Sequence, residues 1–243
     1  MVNQTVELSV VLPAYNEGKK ISRNVGRLKQ AMDAMKMNYE ILIVNDGSTD
    51  NTLIEAKRCE YENIKVYSYE RNSGKGYAVN FGMRQARGEY RLFMDVDLST
   101  CLEEIGNFLN VTRQGQADIL IGTRKSKRHL QKIRQPSYRI FLGEVFTWLA
   151  GLCTGYPLSD FTCGFKMYTK KAADIIFPRQ KIFHWAFDAE LICIASLHRL
   201  RIKEIPVLWN NDPDTKVRLL HDSLTSLFGL FKIRWNVLRG FYR

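Results

Sequence analysis

The chain has 243 residues, 45% of them hydrophobic and 25% charged, with a formal net charge of +11; that size and balance suit one domain with a sizeable core and exclude a disordered or fibrous chain. Five cysteines without a C-x-x-C spacing and four histidines without an H-x-x-x-H pair exclude a zinc site and a disulfide framework, so a reduced, cytosolic chain is expected. No basic leader precedes an apolar segment and no run of about eighteen apolar residues occurs, so neither a signal peptide nor a membrane-spanning helix is expected.

From the N-terminus, β-rich runs alternate with helical spacing. Residues 7–14 (ELSVVLPA), 39–46 (YEILIVND), 64–70 (IKVYSYE), 90–95 (YRLFMD) and 118–123 (DILIGT) read as strands. Between them Ile21, Val25, Leu28, Met32 and Met35 recur at helical spacing, and 74–87 and 103–114 also read as helices. This alternation predicts an α/β fold, a Rossmann-like, mostly parallel sheet flanked by helices on both faces. Such sheets bind ligands at the carboxyl ends of their strands.

The second half differs. A helix apolar around most of its circumference is expected over 137–153, a short strand at FKMY (165–168), and a helix opening within His184–Glu190. Residues 216–240 form an amphipathic pattern, with Leu220, Leu224, Leu227, Phe231, Trp235 and Leu238 on one side and Arg218, Lys232, Arg234 and Arg239 on the other. That is the pattern of an interfacial helix on an anionic bilayer; the plainer reading is that both helices cover the sheet. The basic charge is concentrated too, since no acid stands between Asp118 and Glu144 while Arg124, Lys125, Lys127, Arg128, Lys132, Arg134 and Arg139 crowd together.

Polar residues end the strands: PAYNE (13–17) after the first, NDGSTD (45–50) after the second and DVD (95–97) after the fourth. Glu17, Asp46, Asp95 and Asp97 would then converge on one crevice, a costly cluster unless a cation or polyhydroxyl ligand joins it. Asp95 and Asp97 flank Val96, and together they suit magnesium or manganese across a diphosphate. As a lone motif, D-x-D equally fits a surface turn; its place at a strand end argues for the ligand. NSGKG (72–76) opens a helix, where backbone amides can approach an anion. Asp160, in SDFTCGF, would face the same end of the sheet as Asp97, although such an Asp also serves simply as a turn residue. Asp188 and Glu190 suit either a helix N-terminus or the shaping of an acceptor pocket, and His184 suits a rim or packing role.

Taken in order, PAYNE, NDGSTDNT, NSGKG, MDVDLS, IGTR, DFTCGFK and WAFDAEL resemble glycosyltransferase family 2 of the GT-A fold, from about residue 7 to residue 240. The likeness is greatest to the polyprenyl-phosphate branch, dolichyl-phosphate glucosyltransferases first and mannose synthases next. It implies that Pro13, Tyr15, Glu17 and Asp46 hold the nucleoside, with Lys75 and Val96 also on the donor side. Asp95 and Asp97 would bind the diphosphate through magnesium or manganese. Arg124 and Arg139 would meet phosphates of donor or acceptor, Lys216 would match a late basic residue of the family, and Asp160 would stand near the reacting centre as a positioning group or weak base. Ser99 stands where mannose synthases carry Gln, and Asn210, Asn211 and Asp212 offer no counterpart to their late Arg, which weighs against mannose.

The expectation is therefore one GT-A catalytic domain over 1–243. Residues 1–123 would form the nucleotide-sugar half, and 124–243 the acceptor- and membrane-facing half. It would act as an inverting transferase moving glucose from UDP-glucose to a polyprenyl phosphate, peripheral on the cytosolic face of a membrane or held there by a partner subunit. GDP-mannose as donor, or a soluble or polysaccharide acceptor, is the alternative. A nucleic-acid partner is not expected, because acidic strand ends would repel a phosphate backbone.

Overall fold

The computed structural model describes residues 5–124, 137–210 and 219–243, with 137–142 and 219–224 as backbone only. Strands β1 (Leu8–Ala14), β2 (Tyr39–Asp46), β3 (Ile64–Tyr69), β4 (Tyr90–Met94), β5 (Ile119–Thr123), β6 (Phe165–Thr169) and β7 (Ile202–Pro206) form one sheet in the order β3-β2-β1-β4-β6-β5-β7. Neighbours run parallel except at β6, which is antiparallel to both β4 and β5. The carboxyl ends of β1, β2, β4 and β5 thus share one edge with the start of β6.

Among the described residues eight α-helices accompany them: α1 (Ile21–Ala34), α2 (Thr52–Lys57), α3 (Lys75–Gln85), α4 (Glu104–Arg113), α5 (Ser137–Thr154), α6 (Lys170–Ile176), α7 (Phe187–Leu197) and α8 (Leu219–Leu238). Successive strand side chains point to opposite faces, so Val10 and Leu12 enter one core while Val11 enters the other. The first core is closed by Val25, Leu28 and Met32 of α1 and Phe108 of α4. The second is closed by Val79 and Met83 of α3 and by α6, α7 and the inner face of α8. Burial on both faces explains why the central strands read as unbroken apolar runs.

Three elements went unread in the sequence. The helices α2 and α6 have only 6 and 7 residues, too few for a 3.6-residue period to show. The edge strand β7, IKEIP, is only partly buried, so it lacks the apolar run of the central strands.

The amphipathic reading of α8 changes in the fold. Its inner face is Leu230 and Ile233, whereas Phe228, Phe231, Trp235 and Leu238 are 56–76% exposed. The stripe picked out in the sequence is thus largely the outward one, because the sheet is covered by a different, narrower apolar face. Trp148 and Leu152 of α5 are exposed as well, and α5, α7 and α8 pack against one another. Among the described residues no helix is long and apolar enough to cross a membrane.

Candidate active site

The loops after β1 and β2 are stitched together. Asn16, at φ 53°, turns the PAYNE loop so that its amide donates to Ser48 Oγ (3.0 Å) and its own Oδ1 accepts from the Thr49 amide (2.9 Å). The Glu17 amide donates to Thr52 Oγ1 (2.7 Å) and the Gly18 amide to Asp50 Oδ2 (3.1 Å). Pro13 lies within β1 opposite Val44, and Tyr15 stands 39% exposed at the rim. Pro13, Tyr15 and Glu17 therefore occupy one shelf at the carboxyl edge.

Asp46 is 3% exposed, and its carboxylate accepts from Asn72 Nδ2 (2.9 Å) and from the amides of Ser73 (2.8 Å) and Gly74 (3.0 Å). The Gly76 amide, in the first turn of α3, donates to Phe183 O (2.9 Å). The anion cradled by the NSGKG turn is thus a carboxylate of the same chain. In this arrangement Asp46 and the turn amides order the loop together. Gly74 makes the turn possible, since its φ is +96° and a Cβ there would lie 2.6 Å from Phe183 O.

The loop's purpose is legible at its end. Lys75 opens α3 and places Nζ 2.5 Å from Asp95 Oδ1, each side chain being about two-fifths exposed (40% and 37%). After β4 the chain turns sharply: Val96 is buried with its carbonyl accepting from Asn24 Nδ2 (2.9 Å), Leu98 adopts φ 55°, and Asp97 Oδ1 accepts the Ser99 amide (2.9 Å). Burial and then the neighbouring Asp95 charge push the Asp97 carboxyl above its usual range, a penalty a bound cation would relieve. Asp95 also donates its amide to Gly164 O (3.1 Å), and a Cβ on Gly164 would sit 2.0 Å from Asp95 Oδ2. A side chain at position 164 would force this carboxylate out of its present position.

Two carboxylates on a tight turn fit magnesium or manganese, hard ions that accept one or two protein carboxylates with phosphate and water. Among the described residues no group of three or more His, Cys, Asp or Glu could hold a metal, so further ligands would come from the donor and solvent.

Across the crevice Arg124, just past β5, forks onto Asp160: Nε to Oδ2 at 2.7 Å and one terminal nitrogen to Oδ1 at 2.9 Å, the latter nitrogen also reaching Thr162 Oγ1 (2.8 Å). Asp160 is 3% exposed. Burial alone would raise its pKa, but the Arg124 charge and hydrogen bonds dominate and hold it at about 2. Arg124 also lies over the Trp209 ring (5.5 Å). Residues 208–210 pair with the turn after Asp97, through Cys101 N to Leu208 O and Asn210 N to Ser99 O (2.8 Å).

With this geometry stands a direct likeness: residues 9–177 match the Glycosyl transferase family 2 model. The chain is a family 2 glycosyltransferase. It is 33% identical over 225 residues to a dolichyl-phosphate beta-glucosyltransferase of Trichomonas vaginalis, covering 88% of this chain and 67% of that one. The enzymes of the same name from Homo sapiens (32%, covering 98% and 78%) and Saccharomyces cerevisiae (30%, covering 99% and 78%) are similar along nearly all of it. Glucosyl-3-phosphoglycerate synthase of Mycobacterium tuberculosis, solved with Mn2+ and UDP-glucose, superposes with a TM-score of 0.68 at 18% identity, over 95% of this chain and 79% of that one. At that identity the likeness establishes the GT-A fold.

In this glycosyltransferase the structure brings Glu17, Lys75, Asp95, Val96, Asp97, Arg124 and Asp160 to the carboxyl edge of one sheet. The Arg139 side chain, Lys216 and the basic stretch from Lys125 to Arg134 lie outside the described residues. Sequence reading missed Lys166, which is fully buried on β6, donates to Asp188 Oδ1 (2.5 Å) and Cys163 O (2.7 Å), and lies 5.2 Å from the Phe93 ring centre. The signal was present: a lysine in the middle of the strand FKMY needs a buried partner. That partner is Asp188, read earlier as a helix-end or acceptor-pocket residue, whose carboxyl is raised by burial against the opposing pull of Lys166 and Lys75.

Proposed function

We propose that this enzyme transfers glucose from UDP-glucose to the phosphate of a polyprenyl phosphate of the dolichyl type, with inversion, at the cytosolic surface of a membrane. The observation carrying this reading is the state of Asp160. A sugar or polyol hydroxyl needs a base to become a nucleophile, whereas Asp160, across the crevice from the metal-binding turn, is held ionised at about 2 and gripped by Arg124. A phosphate monoester has its second pKa near ~6 and arrives as its own nucleophile. One of its oxygens would form the bond to the anomeric carbon as the bond to the UDP oxygen breaks, UDP leaving with the electron pair. No proton need move in that step.

In this reading Arg124, fixed by Asp160 and Thr162, orients a phosphate. Asp46 orders the loop that presents Lys75 to the diphosphate, and Asp95 and Asp97 hold the divalent ion, whose contribution is to neutralise charge on the departing diphosphate. Residues 1–123 would serve mainly the donor and 124–243 mainly the acceptor. The outward aromatics Trp148, Phe228, Phe231 and Trp235, with exposed Lys232, Arg234 and Arg239 around them, support docking on an anionic lipid surface where the acceptor resides. Five free cysteines fit the reducing, cytosolic side. The relatives named above support glucose over mannose.

The test is transfer of label from UDP-glucose, UDP-N-acetylglucosamine and GDP-mannose to a short polyprenyl phosphate, with magnesium or manganese and with chelator. Metal-dependent labelling of the lipid from UDP-glucose alone is expected. Labelling from GDP-mannose instead would change the donor, and transfer only to a soluble acceptor would overturn the lipid reading.

A further inference from the structure

The Lys75–Asp95 ion pair sits where a metal ligand is needed. Asp95 Oδ2 faces the Gly164 backbone so closely that not even a methyl group would fit between them, and Oδ1 is covered by the Lys75 ammonium at 2.5 Å. Burial disfavours the Lys75 charge, but the attraction of Asp95, then Asp188 and Asp97, outweighs it and favours the ammonium. Asp188 is in turn anchored by the fully buried Lys166. The ammonium is thus paired with Asp95 and held by a root fixed in the first turn of α3.

An ammonium and a divalent cation repel strongly at the few ångströms that separate two ligands of one carboxylate oxygen. Sharing Asp95 Oδ1 between the two cations is therefore unfavourable. For the metal to enter, the ammonium must move toward other negative charge, and a nucleoside diphosphate supplies that charge on the open side of the crevice. We infer that Lys75 and the divalent ion compete for Asp95, so that the metal enters together with the donor diphosphate, which takes over the lysine. The inference rests on the reading of Asp95 and Asp97 as metal ligands. By reciprocity the nucleotide then binds more tightly with metal by the same factor. The arrangement makes Lys75 a guard against metal without donor, with Lys166 and Asp188 as its positioning residues.

The test is equilibrium binding of Mn2+, followed by the electron paramagnetic resonance signal of the free ion, with and without UDP. It would compare the wild type with Lys75→Met and Lys75→Gln, each checked for an unchanged melting curve. For the wild type, UDP is expected to tighten Mn2+ binding by about 5- to 150-fold, the usual range of such couplings. Both variants should bind Mn2+ alone more tightly than the wild type, on the order of tenfold, and the tightening by UDP should shrink. Variants that bind Mn2+ alone no better than the wild type would overturn the inference while leaving the metal site standing. Absence of Mn2+ binding to the wild type even with UDP would overturn the metal assignment itself.

Discussion

Arg124 and Asp160 meet as a two-pronged pair with distances of 2.7 and 2.9 Å, the acid buried at 3% exposure and the base at the crevice. The buried acid makes the geometry of the partly buried guanidinium definite. Asp160→Asn should therefore lower turnover by on the order of 10²-fold through misplacement of Arg124. The shape of its pH–rate profile between pH 5 and 9 should match the wild type, because a group held at about 2 does not titrate there. Loss of an acid limb in that range would show Asp160 acting as a base.

Lys166 and Asp188 form a pair in which the lysine side chain has 0% exposure and the acid 10%. Removing one charge leaves the other without compensation in the core, so Lys166→Met should destabilise the fold by roughly 3–5 kcal/mol. Adding Asp188→Leu should restore much of that. Urea unfolding of the single and double variants gives the comparison, and equal losses in both would mean the two side chains are not coupled.

Glu190, fully buried, accepts from the Tyr242 hydroxyl (2.5 Å) and from the amides of Lys181 (3.0 Å) and Ile182 (2.8 Å). Burial raises its pKa from 4.5 to about 7, against the pull of those hydrogen bonds. The folded chain thus keeps a proton that the unfolded chain releases, and unfolding free energy from this group falls as pH rises from about 4.5 to about 7. The slope is at most roughly 1.4 kcal/mol per pH unit. Urea midpoints measured across that window should decline in the wild type and flatten in Glu190→Gln; parallel curves would refute the assignment.

Trp235 and Ile233 lie on α8 two residues apart, with exposures of 56% and 0%. Trp235→Glu should preserve the melting temperature and weaken sedimentation with anionic vesicles. Ile233→Glu should unfold the chain, because it places an unpaired charge in the core. Unchanged vesicle binding by Trp235→Glu would remove α8 from the membrane contact.

The sequence by itself determined the parts whose signal is local. The strands β1, β2 and β4 and the helices α1, α3 and α4 follow from periodicity, and the polar residues at the strand ends mark the site because a parallel sheet collects those ends on one edge. Asp95 and Asp97 were legible for that reason. Only the tertiary structure decided which charge meets which. Antiparallel β6, inserted between β4 and β5, brings Gly164 beside Asp95 and Lys166 beside Asp188, long-range contacts that no period encodes. Likewise Asp46 was visible as an acid at a strand end, but only the fold showed that its carboxylate accepts from Asn72 Nδ2 and the amides of Ser73 and Gly74. The helix α8 is apolar on more than one side, so its sequence could not say which side the sheet would cover. Local preference fixes the elements; packing fixes their facing, because burial depends on what lies opposite.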